Sequence, residues 1–283
     1  MRKSIGTIFV AGVMVWGAAC GGGGGGPEGK KTITVKGSDT MVILGQRWAE
    51  TYMGKHPGVS IQVTGGGSGT GIAALINGGT DICESSRPMK ENERAQVKQR
   101  HGKDVGEIPV ALDGVAIYVH TSNPIKAISK SQLKDIYTGK ISSWREVGGA
   151  EARIVAYSRE NNSGTYVFFK EHVLGNQDFA NTTQTLPGTA AVVNAVSKDP
   201  ASIGYGGIAY SSGIKALPVK DTGEPIPPSL QNVQNGTYPL SRNLFFYTAG
   251  APSGEVKAFI DWVLSPEGQD VCEKVGYYPL PKR

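Results

Sequence analysis

The chain has 283 residues, 39% of them hydrophobic and 19% charged, with a formal charge of +5. That length holds one large domain or two lobes of ordinary size. The charge balance is weak and no Lys/Arg-rich run carries interleaved aromatics, so nucleic acid is not an expected partner. Beyond the N-terminus no apolar stretch reaches spanning length, and nothing there is expected to cross a bilayer.

The first residues read as an export signal over 1–19. Arg2 and Lys3 precede an apolar run over 5–16, and the small residues Gly17, Ala18 and Ala19 lead into Cys20. Without Arg2 and Lys3 the formal charge falls to +3, a modest positive field that helps attract a small anion. The junction resembles a bacterial lipobox, in which Cys20 becomes the lipidated N-terminus, although Gly17 stands where Leu is usual. The alternative is an ordinary signal peptide followed by a chance Cys. Residues 20–30 favour the lipobox: Gly21 to Gly26, Pro27, Glu28 and Gly29 form a flexible tether, which a lipid-anchored domain needs to clear the membrane. Each buried acyl methylene contributes ~0.8 kcal/mol to such an anchor. The expected place is the periplasm or the cell surface, on a bacterial membrane. An oxidising compartment allows Cys83 to pair with Cys272, but two separate buried thiols fit equally well.

From Lys31 onward strands and helices alternate. A β-branched run over 32–36 predicts a strand, 41–55 a helix, and 59–64 a second strand. A helix over 71–77, a strand over 81–83 and a charged helix over 90–99 follow. The pattern argues for an α/β fold with a largely parallel sheet. The apolar stretch over 108–120, IPVALDGVAIYVH, is too long for one compact strand and predicts a strand leaving one lobe and entering another. Helices are expected over 131–137, 164–174 and 189–196, and strands over 154–157 and 203–205. A second apolar passage over 238–248 returns the chain to closing helices over 255–263 and 266–275. The expected division is residues 31–114 with 240–283 in lobe I and residues 115–239 in lobe II, joined by a hinge of two strands.

One local pattern recurs. A strand ends, a turn rich in Gly, Ser and Thr follows, and a helix begins. It occurs at 37–40, 65–71, 85–87 and 158–165. The first amide N–H groups of a helix lack internal partners, and the helix dipole makes that end positive. Glycine lets backbone approach a ligand, and hydroxyls add donors, so each turn can receive an anion. Any single turn could be only an N-cap. Four of them, three in one lobe and one in the other, could converge in the cleft beyond the strand ends. The Gly-rich run at Gly65 lacks the spacing and Lys of a nucleotide loop.

These residues resemble a known family. GSDTM at 37–41, GGGSGTG at 65–71, DICESSRPM at 81–89 and SRENNSGTY at 158–166 are similar to motifs of the phosphate-binding proteins of bacterial phosphate ABC transporters. LKDIYTGKISSW at 133–144 and SIGYGGIAY at 202–210 fit the same family, in the same order. The resemblance implies a type II periplasmic-binding fold closing on one dehydrated phosphate, a monomer, no cofactor, and ABC permease subunits as partners. Its ligand positions fall on Asp39, Thr40, Ser68, Ser86, Arg159, Ser163, Gly164 and Thr165. Ser86 stands where some members carry the carboxylate that accepts the phosphate proton, and Asp39 where they carry a hydroxyl, so the carboxylate is expected to have moved between turns. Asn161 stands where an acidic partner for the Arg is common; Glu160 or Asp39 could balance Arg159 instead. Arg87 is a second-rank candidate that either reaches the site or pairs with an acidic neighbour.

An enzyme on the same scaffold, such as a phosphoester hydrolase, would need a metal cluster or an activated nucleophile. His56, His101, His120 and His172 lack ligand spacing, and Ser163 lacks the Gly two positions before it that a nucleophile elbow requires. A receptor for another tetrahedral anion is opposed by Asp39, and a sensing role would use the same site. Trp48, Trp144 and Trp262 are expected to fill cores.

Overall fold

The computed structural model describes residues 31–281. The signal, the tether and Cys20 lie outside the described residues. The chain opens with β1 (Lys31–Gly37), α1 (Val42–Lys55), β2 (Val59–Thr64), α2 (Ser68–Asn77), β3 (Ile82–Ser85) and α3 (Glu91–His101). The long β4 (Val105–Val119) then leads to β5 (Ile128–Ser129), α4 (Lys130–Tyr137), β6 (Val155–Arg159), α5 (Gly164–His172) and β7 (Gln184–Leu186). Next come α6 (Gly188–Val196), β8 (Ser202–Gly207), β9 (Lys215–Leu217), β10 (Val219–Lys220) and α7 (Leu230–Gln234). The chain returns through β11 (Ser241–Ala249) to α8 (Gly254–Leu264) and α9 (Pro266–Val275).

The principal sheet runs in the order β2-β1-β3-β11-β4-β8-β6-β7, with β9 also on β4. The expectation of a largely parallel sheet is corrected. The outer trios are parallel, but β11 is antiparallel to both β3 and β4, and β4 is antiparallel to β8 and β9. The cause is the hinge. One strand carries the chain out of the first lobe and the other brings it back, so the two must run in opposite directions. The stretch around Asp113 is one continuous strand of 15 residues that passes from one lobe into the other, as expected. Residues 105–114 of it pair with β11, and residues 115–119 with β8 and β9.

Each lobe has its own core. Ile33, Val35, Leu44, Trp48, Phe246, Phe259 and Tyr277 cluster in the first. Val115, Ile117, Leu133, Tyr137, Trp144, Phe169 and Tyr205 cluster in the second, where Phe169 stacks on Tyr205 at 3.9 Å. The buried indoles also satisfy their N–H groups: Trp48 donates to the Gly268 carbonyl and Trp144 to that of Ala201, both at 2.7 Å. Trp262 packs at the edge of the first core, partly buried. Cys83 and Cys272 are free and buried in separate clusters, so the two-thiol alternative holds and the disulfide does not form.

One core residue breaks the pattern. All four residues of β3 are buried, and among them is Glu84. Among the described residues neither of its carboxyl oxygens has a hydrogen-bond partner. Its side chain fills the room left by Gly45, where a Cβ would overlap Oε1. Burial pushes the carboxyl well above its ordinary value. The folded chain therefore keeps a proton that the unfolded chain releases above about pH 4.3. Stability from this group is complete below that pH and is lost as pH rises towards the folded-state value. Glu84→Met should raise stability by about 1–3 kcal/mol at pH 8, because it removes an unpartnered buried polar group. The gain at pH 5 should be smaller. Denaturant unfolding at both pH values checks this; an equal gain at both would show that Glu84 does not titrate as described.

Candidate functional site

The four turns meet where the lobes face each other. α1, α2 and α5 direct their N-termini into one cleft, and strand-end residues complete it. Thr40, Ser68, Ser86, Ser163 and Thr165 are all buried, and Arg159 is 2% exposed. A guanidinium so enclosed needs partners, and it has them. Its Nη2 donates to Asp39 Oδ2 at 2.8 Å and its Nη1 to Thr189 Oγ1 at 2.8 Å. Burial lowers the Arg159 pKa from its ordinary value, and the Asp39 charge opposes that shift. Of the two candidates for Arg159's counter-ion, Asp39 occupies the role, while Glu160 is exposed.

Asp39 joins three elements. Besides Arg159, its Oδ1 accepts the Gly66 N–H at 2.8 Å, and its carbonyl accepts the Tyr210 hydroxyl at 2.8 Å. Its side chain remains 20% exposed, so the carboxylate is partly open to solvent while Arg159 is enclosed.

The hydroxyls come together in pairs. Ser86 donates its N–H to Ser68 Oγ at 3.1 Å, and the two side-chain oxygens are 3.3 Å apart. Thr40 Oγ1 lies 2.8 Å from Thr165 Oγ1, linking the lobes directly. Ser163 caps α5 by accepting the Tyr166 N–H at 3.3 Å, which leaves its own proton free to donate. The capping and ligand readings of this Ser are therefore compatible.

Glycine is required at the tightest approach. A Cβ on Gly164 would overlap Ser68 Oγ and lie 2.7 Å from Ser86 Oγ. At Gly67 φ is +89°, and a Cβ there would lie 2.7 Å from the Asn162 carbonyl. Asn162 reaches back across the cleft. Its carbonyl accepts the Gly69 N–H at 2.8 Å, and its side chain donates to the Gly66 carbonyl at 2.9 Å and to Thr70 Oγ1 at 3.2 Å.

Two details differ from expectation. α2 begins at Ser68, not Gly71, because Gly67 takes the special backbone angle and frees Ser68 to start the helix. The helix expected from Lys90 after the turn at Ser85 to Arg87 is α3, which starts one residue later, at Glu91. Ser86 reaches the cleft from the end of β3. Arg87 pairs with Glu93 through two bonds of 2.8 and 2.7 Å, so of its two readings the acidic-neighbour one holds.

Sequence reasoning missed Thr189, Asp113 and Arg242. Arg242 of β11 lies opposite Asp113 of β4 in the ladder and donates to it through Nε at 3.0 Å and Nη2 at 2.7 Å. Burial raises the Asp113 pKa, with Arg242 and nearby backbone N–H groups pulling it down. The available signal was a charged residue inside each of the two apolar passages read as crossings, Asp113 within 108–120 and Arg242 within 238–248.

The chain is similar to known proteins along most of its length. A family model described as the PBP superfamily domain matches residues 23–267. The phosphate-binding protein PstS of Pseudomonas aeruginosa is 37% identical over 266 residues, covering 87% of this chain and 82% of that protein. The chain belongs to the PstS family. PstS of Staphylococcus epidermidis is 33% identical over 293 residues, covering 99% of this chain and 89% of its own. Among solved structures, a candidate phosphate ABC transporter substrate-binding protein from Clostridium perfringens, with bound phosphate, is 31% identical. It covers 89% of this chain and 100% of that one, at a TM-score of 0.81. An ABC-type phosphate transport receptor from Vibrio cholerae is 28% identical, covering 88% and 100% at a TM-score of 0.71. The chain has the two-lobed α/β fold of type II periplasmic binding proteins.

Proposed function

We propose that this chain binds inorganic phosphate between its lobes with high affinity and delivers it to an ABC-type import permease. The observation that carries the reading is the convergence of turns from both lobes on the buried Arg159, next to the acceptor-only Asp39. Arg159 supplies charge and paired donors to phosphate oxygens. Ser68, Ser86, Ser163 and Thr165 donate hydroxyl protons, and Thr40 and Gly164 add backbone N–H groups. The lobes are residues 31–114 with 240–283, and 115–239. They close over the anion because each supplies contacts that only the closed form completes. The protein acts by binding and release, without turnover, as a monomer tethered to a bacterial membrane through lipid on Cys20, in the periplasm or at the cell surface.

Asp39 sets selectivity. When ionised it accepts hydrogen bonds only. Phosphate carries a proton at neutral pH and sulfate does not, so sulfate would face the carboxylate with an unmet, repelling oxygen. Such a mismatch in a buried site separates analogues by ~10⁴-fold. Asp39→Asn should therefore shrink the phosphate-to-sulfate affinity ratio by about 100-fold or more, measured as competition for bound radiolabelled phosphate. An unchanged ratio would reduce Asp39 to a counter-ion for Arg159.

A further inference from the structure

The pair Asp113–Arg242 lies in the hinge, outside the ligand positions discussed above, yet it contacts them. Arg242 Nη2 donates to Thr165 Oγ1 at 3.0 Å and lies 3.5 Å from Thr40 Oγ1. Those two hydroxyls come from opposite lobes and are 2.8 Å apart. We infer that Arg242, held by Asp113, is a positioning residue of the anion site, which orients the paired Thr40 and Thr165 hydroxyls so that Thr165 donates towards the cleft. The inference rests on the phosphate reading.

The chemistry follows from what each group can do. A guanidinium has donors and no acceptor, so neither hydroxyl can give its proton to Arg242. One of the two hydroxyl protons bridges the pair. The other has only the cleft to point to. An acceptor in Arg242's place would capture that proton, and an apolar residue would leave both hydroxyls free to turn. Asp113 makes the guanidinium immobile: Nε and Nη2 both donate to its Oδ2, from the facing hinge strand. The Phe168 ring covers the guanidinium, 5.3 Å from its centroid. The pair is enclosed, with side chains 4% and 0% exposed, and Arg242 Nη1 is buried without a partner among the described residues. A bond to Asp113 alone would serve to pin the strands. The further bond to Thr165 ties the hinge pair to the point where Thr40 and Thr165 meet.

The test is a cycle of phosphate dissociation constants on the full chain, stripped of bound anion, with the melting temperature measured alongside. The variants are Arg242→Gln with Asp113→Asn, which leaves no unpaired buried charge, Thr165→Val, and all three changes together. Each of the first two should weaken phosphate about tenfold or more. The combined variant should be no weaker than Thr165→Val alone, because Arg242 acts through that hydroxyl. A role in strand pairing alone would lower the melting temperature and leave the dissociation constant unchanged, or make the losses multiply; either result overturns the inference. Arg242→Lys keeps the charge but lacks the fork, and should bind with intermediate affinity even if the neutral pair folds poorly; wild-type affinity in that variant also overturns it. If the wild-type chain itself binds no phosphate, the phosphate reading fails first and takes this inference with it.

Discussion

Arg159→Gln should weaken phosphate binding by roughly 100- to 1,000-fold, the range expected when one partner of a buried, hydrogen-bonded charge contact is truncated. Arg159 is the positive charge at the centre of the cleft, enclosed by Asp39 on one side and Thr189 on the other. Gln cannot offer the same paired donors, and it leaves Asp39 facing the anion without its counter-ion. Repulsion then adds to the lost contact. Arg159→Lys should recover only part of the affinity, because a point charge does not replace the planar fork. Calorimetric titration with phosphate reads both variants, and thermal unfolding without phosphate separates binding loss from damage to the fold. A dissociation constant within threefold of wild type for Arg159→Gln would remove Arg159 from the site.

Gly164→Ala should have an effect of similar size by a different route. The added Cβ would occupy the space of Ser68 Oγ and press on Ser86 Oγ, which belong to the other lobe. The closed approach of α5 to α2 would then be blocked, while α5 itself would gain a better helix former at its first position. The expected outcome is about 100-fold weaker phosphate binding, the loss of a well-placed hydrogen-bond set, with no fall in melting temperature in the absence of phosphate. X-ray scattering should show the wild type contracting on phosphate addition and the variant failing to do so. A variant that contracts and binds normally would mean that the lobes do not close through this contact.

The fold was legible because its information is local. Alternating β-branched strands and amphipathic helices follow one another from Lys31, and the apolar runs around Asp113 and Leu244 mark the two crossings. The positions of the converging turns were legible for the same reason, since Gly, Ser and Thr before a helix carry their meaning in sequence. The remainder depends on register and on contacts between distant residues. Nothing near Arg242 in sequence says that it lies opposite Asp113, and Thr189 meets Arg159 only because α6 packs beside β6. The mixed direction of the sheet arises from the return of the chain through β11, which no short window contains. Arg87 pairs with Glu93 at a spacing that the turn before α3 permits and that a helix would not. The separation of Cys83 from Cys272 is likewise a property of the two packed cores, not of the cysteines.

The most direct test of the central claim is calorimetric titration of the full chain, stripped of bound anion, with phosphate and then with sulfate. Tight binding of one phosphate per chain and no heat from sulfate is the predicted result. No heat from phosphate, or equal affinity for both anions, would contradict the claim that these converging turns form a phosphate-selective site.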